Sequence, residues 1–292
     1  MKINKIAKYL KPIAVFFTLY FQIAYTYSHT VTTIITDSGL NGPDGFALDK
    51  KGNLFVANWG GGQGSTVLKI TKGKVTQYIS GLKAPDGLVF DKLGNLFISN
   101  YADGVVNKKT PSGEVTMFAK GLNNPSAMVF DHQGNLYVSN HGGGRGTTVS
   151  KISPEGDITT YASGFDAPLG LAFDENNNLY VSNYNSGVVN KISSTQEVSV
   201  FAVIPNAPLA GLQYLAFDGN KNSYVPSYGH NKIYVISSTG EVSIFAGTGI
   251  AGSKDGPVNE AQFDGPNSII IDKEDAIYIS EYNANRIRKI LN

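Results

Sequence analysis

Short apolar runs that end in a polar residue recur along the chain. The stretch "GNLYVSN" at residues 134–140 is nearly repeated as "GNLFVAN", "GNLFISN" and "NNLYVSN" at residues 52–58, 94–100 and 177–183. Each run is too short for a typical helix and is bounded by turn-forming residues, a pattern that predicts a β-strand between turns. The chain is therefore predicted to consist of repeated short strands.

One repeat unit can be divided into four predicted strands. In the second unit these strands cover residues 87–91, 96–100, 105–110 and 115–120, with "KLGN", "YADG" and "PSGE" as the intervening turns and loop. Nothing in the unit has helical periodicity. The unit is therefore an antiparallel four-stranded sheet.

The units recur six times. An aspartate follows the first predicted strand of each unit, and the successive intervals are 42, 40, 43, 44 and 54 residues for Asp49, Asp91, Asp131, Asp174, Asp218 and Asp272. Periods of about 40 to 50 residues with several strands per unit are typical of propeller blades. A sheet of this kind hides both faces only by stacking on its neighbours around a ring. We therefore predict an all-β, six-bladed β-propeller.

The last unit lacks its fourth strand, because the chain ends at "RIRKILN" after the third. The segment "HTVTTIITDSGL" at residues 29–40 resembles the fourth strands "GKVTQYISGL" and "GEVTMFAKGL". Pairing of residues 30–37 with residues 285–291 would close the ring and protect both strand edges. The propeller is thus predicted to span residues 29–292.

Residues 1–28 have the composition of an export signal. A basic start is followed by an apolar run of 14 residues, and small residues precede His29. This run is shorter than the roughly 20 residues that span a bilayer. We expect a signal peptide and a secreted or periplasmic protein with no stable membrane span after cleavage; an uncleaved anchor is the alternative.

Composition narrows the classes of function. Removal of residues 1–28 takes away four lysines and no acid, which changes the net charge from +1 to −3, so a nucleic-acid partner is not expected. The chain has no cysteine, which excludes disulfides, thiolate zinc sites and cysteine nucleophiles. We expect a monomer whose partner is a small molecule or a protein.

Several segments resemble known propeller families. The stretch "GPNSIIIDKEDAIYISEYNANRIRKI" at residues 265–290 is similar to the NHL repeat, and "FAGTGIAGSKDGPVNEAQFDGP" at residues 245–266 resembles the glycine-rich linker between blades of bacterial NHL propellers. The earlier units, with "DGLVFD", "GNLYVSN" and "PEGDITTY", also resemble gluconolactonase-type and virginiamycin B lyase-type propellers. The resemblance implies a six-bladed fold and leaves the function open.

Two rings of residues are predicted on the face where the second strands end. The residues that close these strands are Asn58, Asn100, Asn140, Asn183, Ser227 and Glu281, and the residues that follow them are Trp59, Tyr101, His141, Tyr184, Tyr228 and Tyr282. In one interpretation the polar side chains bond loop backbone and the aromatic rings wedge between blades. In the other they form a polar channel mouth with an aromatic rim. The predicted ligand-binding set comprises the four asparagines, Trp59, Tyr101, His141, Tyr184, Tyr228 and Glu281.

A third ring precedes the first strands and consists of Asp44, Asp86, Ser126, Leu169, Gln213 and Asn267. In gluconolactonase-type propellers, metal ligands occupy "EGP", "NG" and "PDG" contexts at this place. The resemblance therefore implies a divalent cation, with Ca²⁺ the expected ion, held by Asp44, Asp86 and Asn267. The "EGP" glutamate is absent, so Asn58, Asn100, Glu281 or water would complete the shell. Alternatively, Asp44 and Asp86 only cap turns.

Three functions follow from these residues. The first is a non-catalytic propeller that binds a small ligand or a protein on its channel face. The second is a metal-dependent lactone hydrolase resembling gluconolactonase. The third is a lyase resembling virginiamycin B lyase, for which His141, His230 and Glu281 are the available groups. Both of these histidines are also candidate general bases, and no serine lies in a nucleophile-elbow context.

Overall fold

The computed structural model describes residues 29–206 and 210–291, so the predicted signal at residues 1–28 lies outside it. The described residues form six antiparallel sheets of at least four strands, which surround a central channel. The six-bladed all-β fold predicted from the repeat is confirmed. None of the helices within these ranges is long and apolar enough to cross a bilayer.

The strands are numbered β1–β25 in chain order, and each blade is described from the channel outward. The first strand, β1 (Thr30–Thr36), belongs to blade 6. Blade 1 consists of β2 (Pro43–Leu48), β3 (Leu54–Asn58), β4 (Thr66–Thr71) and β5 (Lys74–Ile79). Blade 2 consists of β6 (Pro85–Phe90), β7 (Leu96–Asn100), β8 (Val105–Lys109) and β9 (Val115–Lys120). Blade 3 consists of β10 (Pro125–Phe130), β11 (Leu136–Asn140), β12 (Thr148–Ile152) and β13 (Ile158–Ser163).

The second half of the ring follows the same plan. Blade 4 consists of β14 (Pro168–Phe173), β15 (Leu179–Asn183), β16 (Val188–Ile192) and β17 (Val198–Val203). Blade 5 consists of β18 (Ala216–Phe217), β19 (Ser223–Ser227), β20 (Lys232–Ile236) and β21 (Val242–Ala246). Blade 6 consists of β23 (Pro266–Ile271), β24 (Ile277–Glu281), β25 (Arg286–Leu291) and β1, with the two-residue β22 (Gly256–Pro257) outside β1.

The amino-terminal strand closes the ring as predicted. β1 runs antiparallel to β25, with Thr30 opposite Leu291 and Thr36 opposite Arg286. Its buried side chains Val31 and Ile35 pack in the clusters on either side of blade 6. The strand therefore joins the two ends of the chain and contributes to two interfaces between blades.

The hydrophobic core lies between the blades. Six clusters of buried apolar side chains fill the six interfaces between neighbouring blades. In the interface of blades 1 and 2, for example, Phe55 and Val67 pack with Leu88 and Ile98. Because every blade is buried on both faces, the second strands of blades 1 to 5 are buried along their whole length and that of blade 6 at every residue except Tyr278, which explains the uninterrupted apolar runs in the sequence.

The recurrent aspartate caps the turn on the opposite side of the ring from the second-strand ends. The carboxylate of Asp91 accepts hydrogen bonds from the backbone N–H groups of Leu93 and Asn95 at 2.9 and 2.8 Å, and from Asn95 Nδ2 at 2.6 Å. The aspartates of the other five units make the same backbone contacts. Their recurrence is therefore structural.

Blade 5 departs from the repeat at its inner strand. In blade 2, Ser99 Oγ accepts from Gly87 N at 2.7 Å and donates to Ser126 O at 2.8 Å, which ties the strand to the next blade. Pro226 occupies the equivalent position in blade 5 and offers neither a hydroxyl nor an N–H group. The inner strand β18 of this blade is only two residues long.

Candidate functional site

The six residues that follow the second strands form a collar of aromatic rings. Neighbouring ring centroids are 5.6 to 6.2 Å apart along the sequence of rings Tyr184, His141, Tyr101, Trp59, Tyr282 and Tyr228. The collar opens between Tyr184 and Tyr228, where Gly211 lies: a Cβ atom at this glycine would be 3.5 Å from Tyr228 Cβ and 3.6 Å from Tyr184 Cε2. The loops of all six blades thus supply one rim.

The collar and five of the six residues that precede the first strands line a single cavity of about 360 Å³. All six collar residues contribute to it, together with Asp44, Asp86, Leu169, Gln213 and Asn267. A larger groove of about 470 Å³ lies beside Asn58 and Thr66, but no titratable side chain lines it. We therefore take the channel cavity as the candidate site, since it combines an apolar wall with convergent polar groups.

Two buried carboxyl groups form the floor of this cavity. Asp44 and Asp86 are only 7% and 5% exposed. Burial, and secondly the nearby charge of Asp86, raise the pKa of Asp44 well above its usual range. Burial raises the pKa of Asp86 to about 6, although hydrogen bonds from Tyr214 and Ser126 oppose this. Both carboxyl groups are therefore harder to ionise than free aspartate, because they are buried and lie close to each other.

Asn267 completes the floor and leaves one acceptor free. Its side-chain amide bonds to Asp44 and lowers the pKa of that carboxyl group. The residue is 5% exposed, and its Oδ1 atom has no hydrogen-bond partner among the described residues. Asp44, Asp86 and Asn267, which the resemblance placed together, are therefore neighbours in blades 1, 2 and 6.

Tyr214 is the residue of this site that the sequence did not predict. Its hydroxyl donates to Asp86 Oδ1 at 2.5 Å, and Ser126 Oγ donates to the same oxygen at 2.9 Å. Because Tyr214 belongs to blade 5 and Asp86 to blade 2, the tyrosine side chain spans the channel. The sequence did contain one signal for this residue, because the other five units have small residues at the equivalent position. These are Gly45, Gly87, Ala127, Gly170 and Ser268.

Removal of this hydroxyl is expected to raise the apparent pKa of the aspartate pair. The Tyr214 hydrogen bond favours the ionised carboxylate of Asp86, so Tyr214→Phe should shift its titration upward by about one unit. Carbon-13 NMR of the aspartate carboxyl groups measures this shift. Tyr137→Phe is the control, because Tyr137 bonds to Asp131 on the opposite face. An unchanged titration in Tyr214→Phe would contradict the cross-channel bond.

His141 is held as a neutral side chain. The backbone N–H of Gly144 donates to its Nδ1 atom at 3.2 Å, and the Tyr101 hydroxyl lies 3.0 Å from the same nitrogen. Since an N–H group can only donate, Nδ1 is the acceptor and the ring proton resides on Nε2. Burial lowers the pKa of His141 to about 4. His141 therefore presents a hydrogen-bond donor at Nε2.

Two N–H groups of the collar lack partners. His141 Nε2 and Trp59 Nε1 are buried without a hydrogen-bond partner among the described residues. Both residues line the cavity. A buried donor without a partner costs free energy, so these atoms are available to a ligand.

The four asparagines of the predicted ligand set lie outside the cavity lining. Each accepts a hydrogen bond at Oδ1 from the backbone N–H of the residue 17 positions earlier, as Asn100 does from Lys83 at 3.1 Å. Each Nδ2 donates to the third strand, as Asn100 does to Asn107 Oδ1 at 2.6 Å. These contacts fasten the entry loop to the blade. A ligand role for Asn58, Asn100, Asn140 and Asn183 stays a prediction.

Glu281 takes the place of these asparagines in blade 6. It is fully buried, and its Oε1 accepts from Asp264 N at 2.8 Å and from Arg288 Nη1 at 3.1 Å. Arg286 Nε lies 3.1 Å from its Oε2. The structure does not bring Glu281 to the cavity.

Two further features of the sequence, His230 and the glycine-rich loops, differ in their relation to the cavity. His230, a candidate base, bonds to the Tyr234 hydroxyl at 2.9 Å and does not line the cavity. The glycine-rich loops of blades 1 and 3 each form one 3₁₀ turn, η1 (Gly60–Gly62) and η2 (Gly142–Gly144). Gly143 and Gly144 of the second loop line the cavity, so this loop forms part of its wall.

Comparison with known proteins identifies relatives of the fold. No protein-family model and no curated protein matches the chain. A catalytically inactive virginiamycin B lyase from Staphylococcus aureus, solved with quinupristin, is 18% identical with a TM-score of 0.66, and the match covers 90% of this chain and 99% of that one. A gluconolactonase from Xanthomonas campestris is 16% identical with a TM-score of 0.71, covering 89% and 88%.

A third similar structure belongs to a binding protein. An auxiliary nutrient binding protein from Bacteroides thetaiotaomicron is 17% identical with a TM-score of 0.76, and the match covers 90% of this chain and 76% of that one. The resemblance to gluconolactonase-type and virginiamycin B lyase-type propellers is confirmed for the fold. At these identities the comparison establishes architecture alone, because one propeller fold serves many functions.

Proposed function

We propose that this protein binds a small ligand in the cavity on its channel axis. The observation that carries this proposal is that aromatic rings from all six blades and the buried carboxyl groups of Asp44 and Asp86 line one cavity of about 360 Å³. This volume lies in the range of small-molecule sites, roughly 300 to 1,000 Å³. Unpartnered buried groups on its floor and wall supply the polar contacts.

The metal-dependent hydrolase is the alternative, and the residues fit a divalent cation incompletely. Within residues 29–206 and 210–291, no group of three His, Asp or Glu side chains could hold a metal ion. Asp44, Asp86 and Asn267 offer hard oxygen ligands, yet two hydroxyls already occupy Asp86 Oδ1. Ca²⁺ takes six to eight oxygens. The Ca²⁺ site therefore stays a prediction, and we derive no catalytic step from it.

The positions of His141 and Glu281 favour binding over the lyase alternative. His141 holds its proton on the nitrogen that remains available, so it is a donor rather than a base in this arrangement. Glu281 is bonded to arginine and does not line the cavity with His141.

We also propose that the protein acts outside the cytoplasm as a monomer. The basic start and the apolar run within residues 1–28 support export. Closure of the ring by β1 supports a monomer, because it pairs the strand edge through which a second copy could add.

Trp59 provides a direct test of the site. It is the single tryptophan of the chain and lies in the collar. Binding of a small ligand found by thermal-shift screening is expected to change its emission and to reduce its quenching by acrylamide. A ligand with confirmed binding that changes neither property would show that the site lies elsewhere.

A matched pair of variants separates the collar from general packing. Tyr282→Ala removes a collar ring and is expected to weaken binding at least about tenfold. Tyr161→Leu is the control, because Tyr161 packs on Tyr137 at the outer part of blade 3. Equal loss of affinity in both variants would contradict the proposed function.

A further inference from the structure

The floor of the cavity carries negative charge without a positive partner. Two aspartates line the cavity, whereas its lining includes no Lys or Arg among the described residues. Of the two other buried carboxylates among the described residues, Glu281 is paired with Arg288 and Arg286, and Asp131 accepts hydrogen bonds from Gln133 N, Asn135 N and Asn135 Nδ2. Buried carboxylates are costly unless a cation accompanies them. The contrast indicates that the occupant of the cavity supplies the positive charge.

The collar indicates what kind of cation this is. Five of its six rings belong to Trp or Tyr, and they surround the axis above the aspartates. Aromatic faces attract organic cations, and rings arranged as a cage are the usual recognition device for ammonium groups. A cavity of about 360 Å³ also leaves room for an apolar body. An organic ammonium compound uses both the charge and the rings.

The hydrogen-bonding groups of the floor match a primary ammonium group. Asp44, Asp86 and Asn267 come from three consecutive blades, and Asn267 Oδ1 is a buried acceptor without a partner. A primary ammonium group has three N–H donors and no acceptor. A sugar hydroxyl would bring one donor and would leave the carboxylate charge uncompensated.

We propose that the cavity binds a small primary ammonium compound, with its –NH₃⁺ group on Asp44, Asp86 and Asn267 and its hydrocarbon part between the collar rings. This inference rests on the proposed function and names its ligand class. The hydrocarbon part excludes water from the ion pair, which strengthens the attraction.

The test compares two probes of the same shape. Cyclohexylmethylammonium and cyclohexylmethanol are titrated into the full-length protein by calorimetry and by Trp59 fluorescence. We expect the ammonium compound to bind at least about tenfold more tightly than the alcohol.

Isosteric variants assign the effect to the floor. The double substitution Asp44→Asn and Asp86→Asn should weaken ammonium binding at least about tenfold. Asp103→Asn is the matched control, because Asp103 is an exposed carboxyl group in the loop that carries Tyr101. The affinity of the Asp103→Asn variant for the ammonium compound should stay within about twofold of that of the unsubstituted protein. If the double variant fails to fold, the comparison of the ammonium compound with the alcohol on the unsubstituted protein decides the matter.

The remaining outcomes separate this inference from the proposed function. Equal affinity for both probes, or no ammonium binding, overturns the inference. Glucose, glucono-1,5-lactone, Ca²⁺, Mg²⁺ and Zn²⁺ are titrated in parallel; if one of these alone binds and changes Trp59 fluorescence, the inference fails and the cavity remains the site. If the ammonium compound binds without changing Trp59 fluorescence and binds equally well to the double variant, both the inference and the proposed function are overturned.

Discussion

Deletion of residues 29–38 is expected to abolish cooperative thermal unfolding of the propeller. β1 supplies the fourth strand of blade 6 and buries Val31 in the interface with blade 5 and Ile35 in the interface with blade 1. Burial of these two side chains alone contributes about 3 to 6 kcal/mol, and the deletion also leaves β25 unpaired. This loss is comparable with the whole stability of a typical domain, about 5 to 15 kcal/mol.

Circular dichroism and size-exclusion chromatography measure the effect of the deletion. Paired point variants distinguish ring closure from simple shortening of the chain. Val31→Asp places a charge at a fully buried position and should cost roughly 4 kcal/mol, whereas Thr32→Asp on the exposed face should change stability by about 0.5 kcal/mol or less. An unchanged melting temperature in the deletion variant would show that β1 does not close the ring.

Replacement of Arg288 by asparagine is expected to destabilise the protein by about 3 to 5 kcal/mol. Arg288 is fully buried; its Nη1 donates to Glu281 and to Gln262 O, and its Nη2 lies 2.7 Å from Asp255 Oδ1. The substitution removes one of the two arginines that lie 3.1 Å from the buried carboxylate of Glu281. Chemical denaturation with urea measures the difference in the free energy of unfolding.

The repeat itself provides the rescue for this variant. In blades 2 and 4 the positions equivalent to Glu281 and Arg288 form Asn–Asn pairs, as between Asn100 and Asn107 at 2.6 Å. The double variant Glu281→Asn, Arg288→Asn copies these pairs and should recover at least about 1 kcal/mol relative to Arg288→Asn. If the double variant is no more stable than Arg288→Asn, Glu281 and Arg288 are not energetically coupled.

An exposed ion pair serves as the control for the arginine. Lys221 and Glu175 lie 2.5 Å apart, and both side chains are 59% exposed. Such exposed pairs contribute little to stability, because water and salt screen the charges. Lys221→Ala should therefore leave the urea midpoint nearly unchanged.

The repeat in the sequence was sufficient to predict the architecture. Alternation of short apolar runs and turn residues specifies strands locally, and a period near 42 residues leaves a closed ring as the way to bury both sheet faces. The similarity of residues 29–40 to the fourth strands also predicted the partner of β25. These features are local or periodic, so they are visible without coordinates.

The same repeat placed the aromatic collar on one face with Asp44, Asp86 and Asn267. It could not separate the roles of the collar and the adjacent asparagines, because the collar recurs in all six blades and the asparagines recur in four. The two roles depend on which way each side chain points: Trp59 and Tyr101 line the cavity, whereas Asn58 and Asn100 fasten loop backbone. Neighbouring residues on a strand end face opposite directions.

Only the tertiary structure decided the chemistry of the site. The bond from Tyr214 to Asp86 joins residues 128 positions apart across the channel, and Arg288 reaches Asp255 and Glu281 from one buried strand position. Periodicity determines the strands and the ring, since these follow from local preference and burial. Which side chains meet across the closed ring depends on distances between blades that no local pattern contains, and those distances set the charge, the protonation and the open hydrogen bonds of the cavity.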